Sequence, residues 1–201
     1  MSAKTFYLIR HAQPNFPGGE KMCLGQRCDL PLSPQGLKQA ELLGRIFTSL
    51  PLEAVYCSPL LRARQTAAPI ASGQRPLHIA KDLTELDGGA WDGMPFSQIR
   101  SAYPDYYAPG AYFSAPPGGE SDARGAARAM TALADIESRT QGCAAIVAHS
   151  GINCLLLCTL LGKPYHEKKQ FRHGYGAISE LSFEDGVWRV IKHGILPEDW
   201  I

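Results

Sequence analysis

Apolar residues follow two rhythms along this chain. Short unbroken runs, Phe6-Tyr7-Leu8-Ile9, Ala54-Val55-Tyr56-Cys57 and Ala144-Ala145-Ile146-Val147-Ala148, have the length and content of strands buried on both faces. Between them, Leu37, Ala40, Leu43, Ile46 and Phe47 recur at helical spacing. Ser33 before Pro34 supplies a helix N-cap followed by proline at the first helical position. These signals predict strands at 4–9, 53–57, around 77–80 and at 144–148, with helices at about 34–49, 60–72, 121–139 and 151–162. Alternation around Ile178, Leu181 and Phe183, then Val187 and Val190, predicts a closing antiparallel hairpin turning at Glu184-Asp185-Gly186. From Met94 to Glu120 the pattern dissolves into aromatics, proline and glycine. The expected architecture is one α/β domain over 1–201: a three-layer α/β/α sandwich with a mostly parallel central sheet and a cap inserted at about 94–120.

A length of 201 residues allows a well-buried core in a single domain. The formal net charge of +1 argues against nucleic acid or a membrane surface as partner, since either calls for a basic excess. No apolar run reaches the roughly 18 residues of a spanning helix. The N-terminus runs straight into a strand without a signal-peptide layout. The six cysteines, Cys23, Cys28, Cys57, Cys143, Cys154 and Cys158, form no Cys-x-x-Cys pair. Only Cys23 and Cys28, in a loop by composition, leave a metal site or disulfide open. A reduced, cytoplasmic protein is the expectation; oligomeric state has no signature here.

Candidate chemistry stands where two of the apolar runs stop. The first ends in Arg10-His11, the second in His149-Ser150-Gly151. In open α/β sheets the C-terminal edge of the strands is where ligands bind. An imidazole beside a guanidinium there suits an anion, above all a phosphate.

A third segment sharpens this. Ser58-Pro59-Leu60-Leu61-Arg62-Ala63-Arg64-Gln65-Thr66-Ala67, together with Arg10-His11-Ala12, Glu85 before Gly89-Ala90-Trp91-Asp92-Gly93, and His149-Ser150-Gly151, resembles the signatures of the histidine phosphatase superfamily, in family order. The resemblance implies the phosphoglycerate-mutase-like fold and a metal-independent phosphomonoesterase with no cofactor, a histidine acid phosphatase-type hydrolase of a small phosphate ester. His11 is then the nucleophile that becomes a phosphohistidine, Arg10 and Arg62 clamp the phosphate oxygens, and His149 is a further donor to them. The start of the helix after Gly151 would add a positive dipole end. Glu85 is the favoured proton donor, with Asp82 and Asp87 as competitors. One general acid contributes only about 10²–10⁴ in rate, so most of the acceleration must come from positioning and charge stabilisation.

Softer matches extend the list. Gly25, with the loop from Asp29 to Ser33, resembles a family loop whose backbone faces the phosphate, and Gly25 and Ser150 join Arg10, Arg62 and His149 as substrate-binding candidates. Glu120 would touch substrate or favour a helix dipole. Tyr103, Tyr106, Tyr107, Tyr112 and Phe113 would line a substrate cap or simply pack, and Trp91 and Asp92 would pack the loop beneath the site. Arg172 and His173 could reach its rim. Two departures stand out. Ala12 replaces the usual glycine, which is tolerable if its φ is negative. The family's asparagine falls at Pro17, with Asn15 earlier, so the loop from Gln13 to Arg27 is unassigned. At this length the phosphatase branch fits better than the alternatives, a primer-dependent phosphoglycerate mutase or a non-catalytic phosphate-binding scaffold.

Overall fold

The computed structural model of the chain describes residues 3–108 and 111–200, without the side chain of Tyr107. In chain order the strands are β1 (Lys4–Arg10), β2 (Ala54–Cys57), β3 (Leu77–Ile79), β4 (Cys143–Ala148), β5 (Ile178–Glu184) and β6 (Val187–Ile195). The helices are α1 (Pro34–Thr48), α2 (Leu61–Ala71), α3 (Phe96–Ala102), α4 (Asp122–Arg139) and α5 (Ser150–Leu160). The strands make one six-stranded sheet in the order β3-β2-β4-β1-β5-β6. The first four run parallel, while β5 and β6 pair antiparallel at one edge.

Two-residue alternation within these strands divides the core. Phe6, Leu8, Tyr56, Ala144 and Ile146 face Leu133, Ile136 and Leu156 of α4 and α5 on one side. Tyr7, Ile9, Val55, Ala145 and Val147 face Leu43, Phe47, Ala67 and Ile70 of α1 and α2 on the other. Three layers follow directly, because every strand residue near the centre has a helix to bury against.

The expected helix ends hold: the Ser33 hydroxyl accepts from the N–H of Gly36, and Ser121 does the same for Arg124. Asp185 and Gly186 both take positive φ, 49° and 79°, the requirement of a two-residue hairpin turn. Two expectations fail. Leu37, counted on the buried stripe of α1, is 46% exposed. The stretch from 94 to 120 holds a helix, α3, in which Ile99 is the one buried residue. A seven-residue helix with a single apolar anchor leaves no period to read. No described helix is long and apolar enough to cross a membrane, and all six cysteines are free, Cys23 and Cys28 included.

Candidate active site

Strand register builds the centre. β1 and β4 are parallel neighbours with Arg10 opposite Ala148, so the next residues, His11 and His149, emerge side by side. Their ring centroids lie 5.1 Å apart, close to the spacing of adjacent strands. Both rings are buried. Nδ1 of His11 donates to the carbonyl of Ala12 at 2.7 Å. A carbonyl can only accept, so this bond places the proton on Nδ1 and leaves the lone pair on Nε2. The backbone at Ala12 is held in turn, its N–H donating to Thr66 Oγ1 at 2.9 Å. Ala12 has no positive φ, so a Cβ is admitted where the family resemblance expects glycine.

His149 meets Ser58, just past the end of β2, with Nε2 2.7 Å from Oγ. That hydroxyl already accepts from the N–H of Leu60 at 3.3 Å. With the Ser58 hydroxyl donating to Nε2, the ring's own proton sits on Nδ1; with the other tautomer Nε2–H donates to Ser58 and Nδ1 carries the lone pair. Nδ1 is buried and has no partner among the described residues.

The two arginines are fixed by the backbone around them. Arg10 donates from Nη1 to the carbonyl of His173 at 2.7 Å, and its guanidinium carbon lies 3.9 Å from the centre of the Tyr175 ring. That ring is 5.8 Å from the ring of His11. Arg62 is fully buried. Its Nη1 donates to the carbonyl of Cys28 and to Asp29 Oδ1, at 3.2 and 3.3 Å, and its Nη2 to the carbonyls of Leu24 and Gly25, at 3.2 and 2.9 Å. The expected fork onto phosphate is thereby corrected: the terminal N–H groups of Arg62 hold the loop from 24 to 29. Nε of Arg10 and Nε of Arg62 have no partner among the described residues. With His149 Nδ1, three buried nitrogens on three of the residues singled out from the sequence lack a hydrogen-bond partner among the described residues. Buried polar atoms are seldom left so without a reason. Trp91, Asn153 and His173 carry unpartnered buried atoms as well; what distinguishes these three is that both arginines act electrostatically on His11 and His149, whose rings are neighbours.

Glu85 lies within electrostatic reach of both arginines. Its Oε2 accepts from the N–H of Gly151 at 3.0 Å, and its Oε1 from Ile152 at 3.2 Å and from Leu86 at 2.9 Å. The N-terminus of α5 thus faces this carboxylate, correcting the expectation that it faces phosphate directly. A side chain at Gly151 would collide with the same carboxylate, which accounts for the glycine after His149-Ser150.

Burial, reinforced by the neighbouring guanidiniums, holds both His11 and His149 well below the usual imidazole range. Burial together with His193 and Arg10 pushes His173 down to about 3. For each ring the folded value lies below the unfolded one, so stability is complete above pH 6.5. It falls as the pH drops from there towards about 3, because the unfolded chain takes up protons that the folded chain refuses. The expected slope is about 1.4 kcal/mol per pH unit for each buried ring. Urea unfolding across a pH series from neutral into mild acid checks this; midpoints that do not move would mean that the folded rings protonate normally.

The other candidates separate. Gly25 turns its N–H to Asp92 Oδ1 (2.9 Å) and its carbonyl to Arg62, so it does not present its backbone to a ligand. Asp92 also accepts from the N–H groups of Arg27 and Cys28, while Trp91 packs against Tyr103 and Tyr106; the two shape the loop, as expected. Asp29 accepts from the N–H of Leu61 besides pairing with Arg62. Ser150 is the first residue of α5 and half-buried, one turn before Cys154, whose thiol donates to the carbonyl of Phe171 at 3.2 Å. Glu120 is held by Arg128 in a two-point ion pair at 2.8 and 2.7 Å. Asp82 is exposed and Asp87 pairs with Arg27, whereas Glu85 is bonded to the N–H groups that follow His149-Ser150. Tyr112 donates to Asp122, Tyr106 packs on Phe113, and the Tyr107 side chain lies outside the described residues. Asn15 is exposed, and its N–H goes to the carbonyl of Pro31. Arg172 is exposed, and His173 serves through its carbonyl on Arg10. Sequence reasoning assigned no role to Ser58, Thr66, Arg128 or Tyr175. The first two sit inside the motif that carried the resemblance, whereas nothing in the pattern marks Tyr175.

The family model of the histidine phosphatase superfamily (branch 1) matches residues 6–195. The chain belongs to that superfamily. Phosphoserine phosphatase 1 of Hydrogenobacter thermophilus is 31% identical over 196 residues, covering 94% of this chain and 90% of that one. The acid phosphatase of Mycobacterium tuberculosis is 28% identical over 170 residues, with 83% and 81% covered. The fold matches mycobacterial glucosyl-3-phosphoglycerate phosphatase with a TM-score of 0.86 at 24% identity, over 96% of this chain and 100% of that one. The chain is accordingly a phosphatase of the histidine phosphatase superfamily.

Proposed function

We propose a metal-independent phosphomonoesterase that acts on a small phosphorylated metabolite through a phosphohistidine at His11, within a single domain capped at about 94–120. The observation that carries this reading is the set of three unpartnered buried nitrogens, on Arg10, Arg62 and His149, around a histidine whose Nε2 lone pair is free. Nε2 of His11 attacks phosphorus in line, the ester P–O bond breaks, and Glu85 gives a proton to the departing oxygen. Arg10 Nε, Arg62 Nε and His149 Nδ1 donate to the equatorial oxygens as charge gathers there. Water then attacks the phosphohistidine, Glu85 takes its proton, and phosphate leaves with His11 restored. Because His11 stays unprotonated well into acid, an acid-phosphatase character fits this site. The cytoplasm is the location we infer, in keeping with six free cysteines.

Release of phosphate from p-nitrophenyl phosphate in EDTA is the test. Primer-dependent interconversion of 3- and 2-phosphoglycerate without net release would make the chain a mutase, and phosphate binding without turnover a scaffold. Glu85→Gln is expected to slow alkyl esters by about 10²–10⁴, the contribution of a general acid, and to leave activated aryl esters much less affected. Equal slowing of both would remove Glu85 from the acid role.

A further inference from the structure

Arg128, on α4, lies outside the ring of residues just described, yet it spends its donors on the segment that carries Glu85 and on one carboxylate. Its Nη1 donates to the carbonyl of Asp82 at 2.7 Å and to that of Thr84 at 2.6 Å. Its Nη2 reaches the carbonyl of Glu85 itself at 3.1 Å. Nε and Nη2 grip the buried Glu120 carboxylate. Gln26 adds a second donor to the Glu85 carbonyl at 2.8 Å. The segment from 82 to 85 has no strand partner: a single 3-10 turn at Lys81–Leu83 leads into it. Leu83 is buried in the core and the Glu85 carboxylate is held by three N–H groups, so the bonds from Arg128 and Gln26 are what fix the backbone of Thr84 and Glu85 between those two anchors.

A planar guanidinium meeting three carbonyls of one short segment fixes position and direction together, which a flexible ammonium cannot reproduce. Glu120 orients that guanidinium from the far side and balances its charge. We propose that Arg128, held by Glu120, is a positioning residue for the proton donor: it sets where the Glu85 carboxyl stands relative to the leaving oxygen, without touching substrate. This rests on the phosphohistidine reading with Glu85 as acid.

A structural prop and a positioning residue differ in one measurable respect. Proton donation matters in proportion to how poor the leaving group is, so misplacing the acid penalises alkyl esters selectively. Arg128→Lys is expected to lower kcat for an alkyl phosphate by about 10–100-fold, a displacement of the order of 1 Å being enough for such a loss, while p-nitrophenyl phosphate changes little. Glu120→Gln, which keeps the three carbonyl contacts, is expected to shift the same ratio in the same direction by less. Both are compared with Glu85→Gln over a series of leaving groups. Equal slowing of all esters by Arg128→Lys, or no slowing of any, overturns the proposal; so does failure of both variants to fold, which would make the pair a folding element. If instead His11→Ala retains full turnover, or Glu85→Gln shows no dependence on leaving group, it is the underlying catalytic reading that falls.

Discussion

Replacing His11 by asparagine is expected to abolish the phosphoenzyme and to lower kcat for any phosphate ester by about 10⁴ or more, the scale of loss when a covalent nucleophile is removed. Asparagine is the informative substitution. Its amide can still donate to the Ala12 carbonyl that now receives Nδ1–H, so local structure is preserved while the Nε2 lone pair is lost. The cost to stability should be small, and an amide does not titrate in this range. Folding holds the His11 ring well below its ordinary range, so the His11→Asn variant should lose part of the acid sensitivity described above. The measurement is a rapid quench in alkaline denaturant after mixing with labelled substrate, since a phosphohistidine hydrolyses in acid, alongside steady-state rates. A phosphoenzyme that persists, or a rate within a factor of about ten of the parent, would place the nucleophile elsewhere. His149 is the nearest alternative, at 5.1 Å between ring centres.

Much of this arrangement is legible in the sequence. The unbroken runs of β1 and β4 reveal strands buried on both faces, and the abrupt Arg10-His11 and His149 at their ends reveal an edge with chemistry on it. What the pattern cannot supply is register. Only the pairing of Arg10 with Ala148 makes the two histidines neighbours rather than residues on distant strands. Nor does a motif say which N–H of an arginine is free. Arg62 reads as a fork for phosphate, but long-range folding brings the loop from 24 to 29 onto its terminal nitrogens and leaves Nε alone. Tyr175 carries no signal because its place beside Arg10 depends on how the segment before β5 returns to the sheet, a non-local fact. The misreadings have a common cause. Leu37 and α3 lie where burial is decided by neighbours far away in sequence, so local periodicity carries no information about them.

Arg62→Lys is expected to have the second large effect, and on two quantities at once. A lysine keeps the positive charge near His11 and His149 but offers one nitrogen in place of three. The carbonyls of Leu24, Gly25 and Cys28 with Asp29 cannot all be met by it. Stranding a buried carbonyl costs about 1–3 kcal/mol, a sizeable part of the stability of an ordinary domain. The loop from 24 to 29 should then open first, since it is anchored to α2 chiefly through this side chain and Asp29, and limited proteolysis at that loop should accelerate. Catalysis falls independently: loss of one fixed donor to the transferring phosphoryl group is worth about 10²–10³ in kcat. Charge alone should not rescue it, because the ammonium cannot hold a donor at the Nε position while also bonding the loop. Saturating phosphate is expected to restore part of the stability, through binding to the folded state only, yet not the rate. Denaturation and steady-state kinetics on the same preparation decide the matter. Parent-like kcat in a destabilised protein would confine Arg62 to holding the loop and remove its Nε from the phosphate site. A slow enzyme of parent-like stability would mean that the loop contacts carry little energy and that the side chain acts on substrate alone.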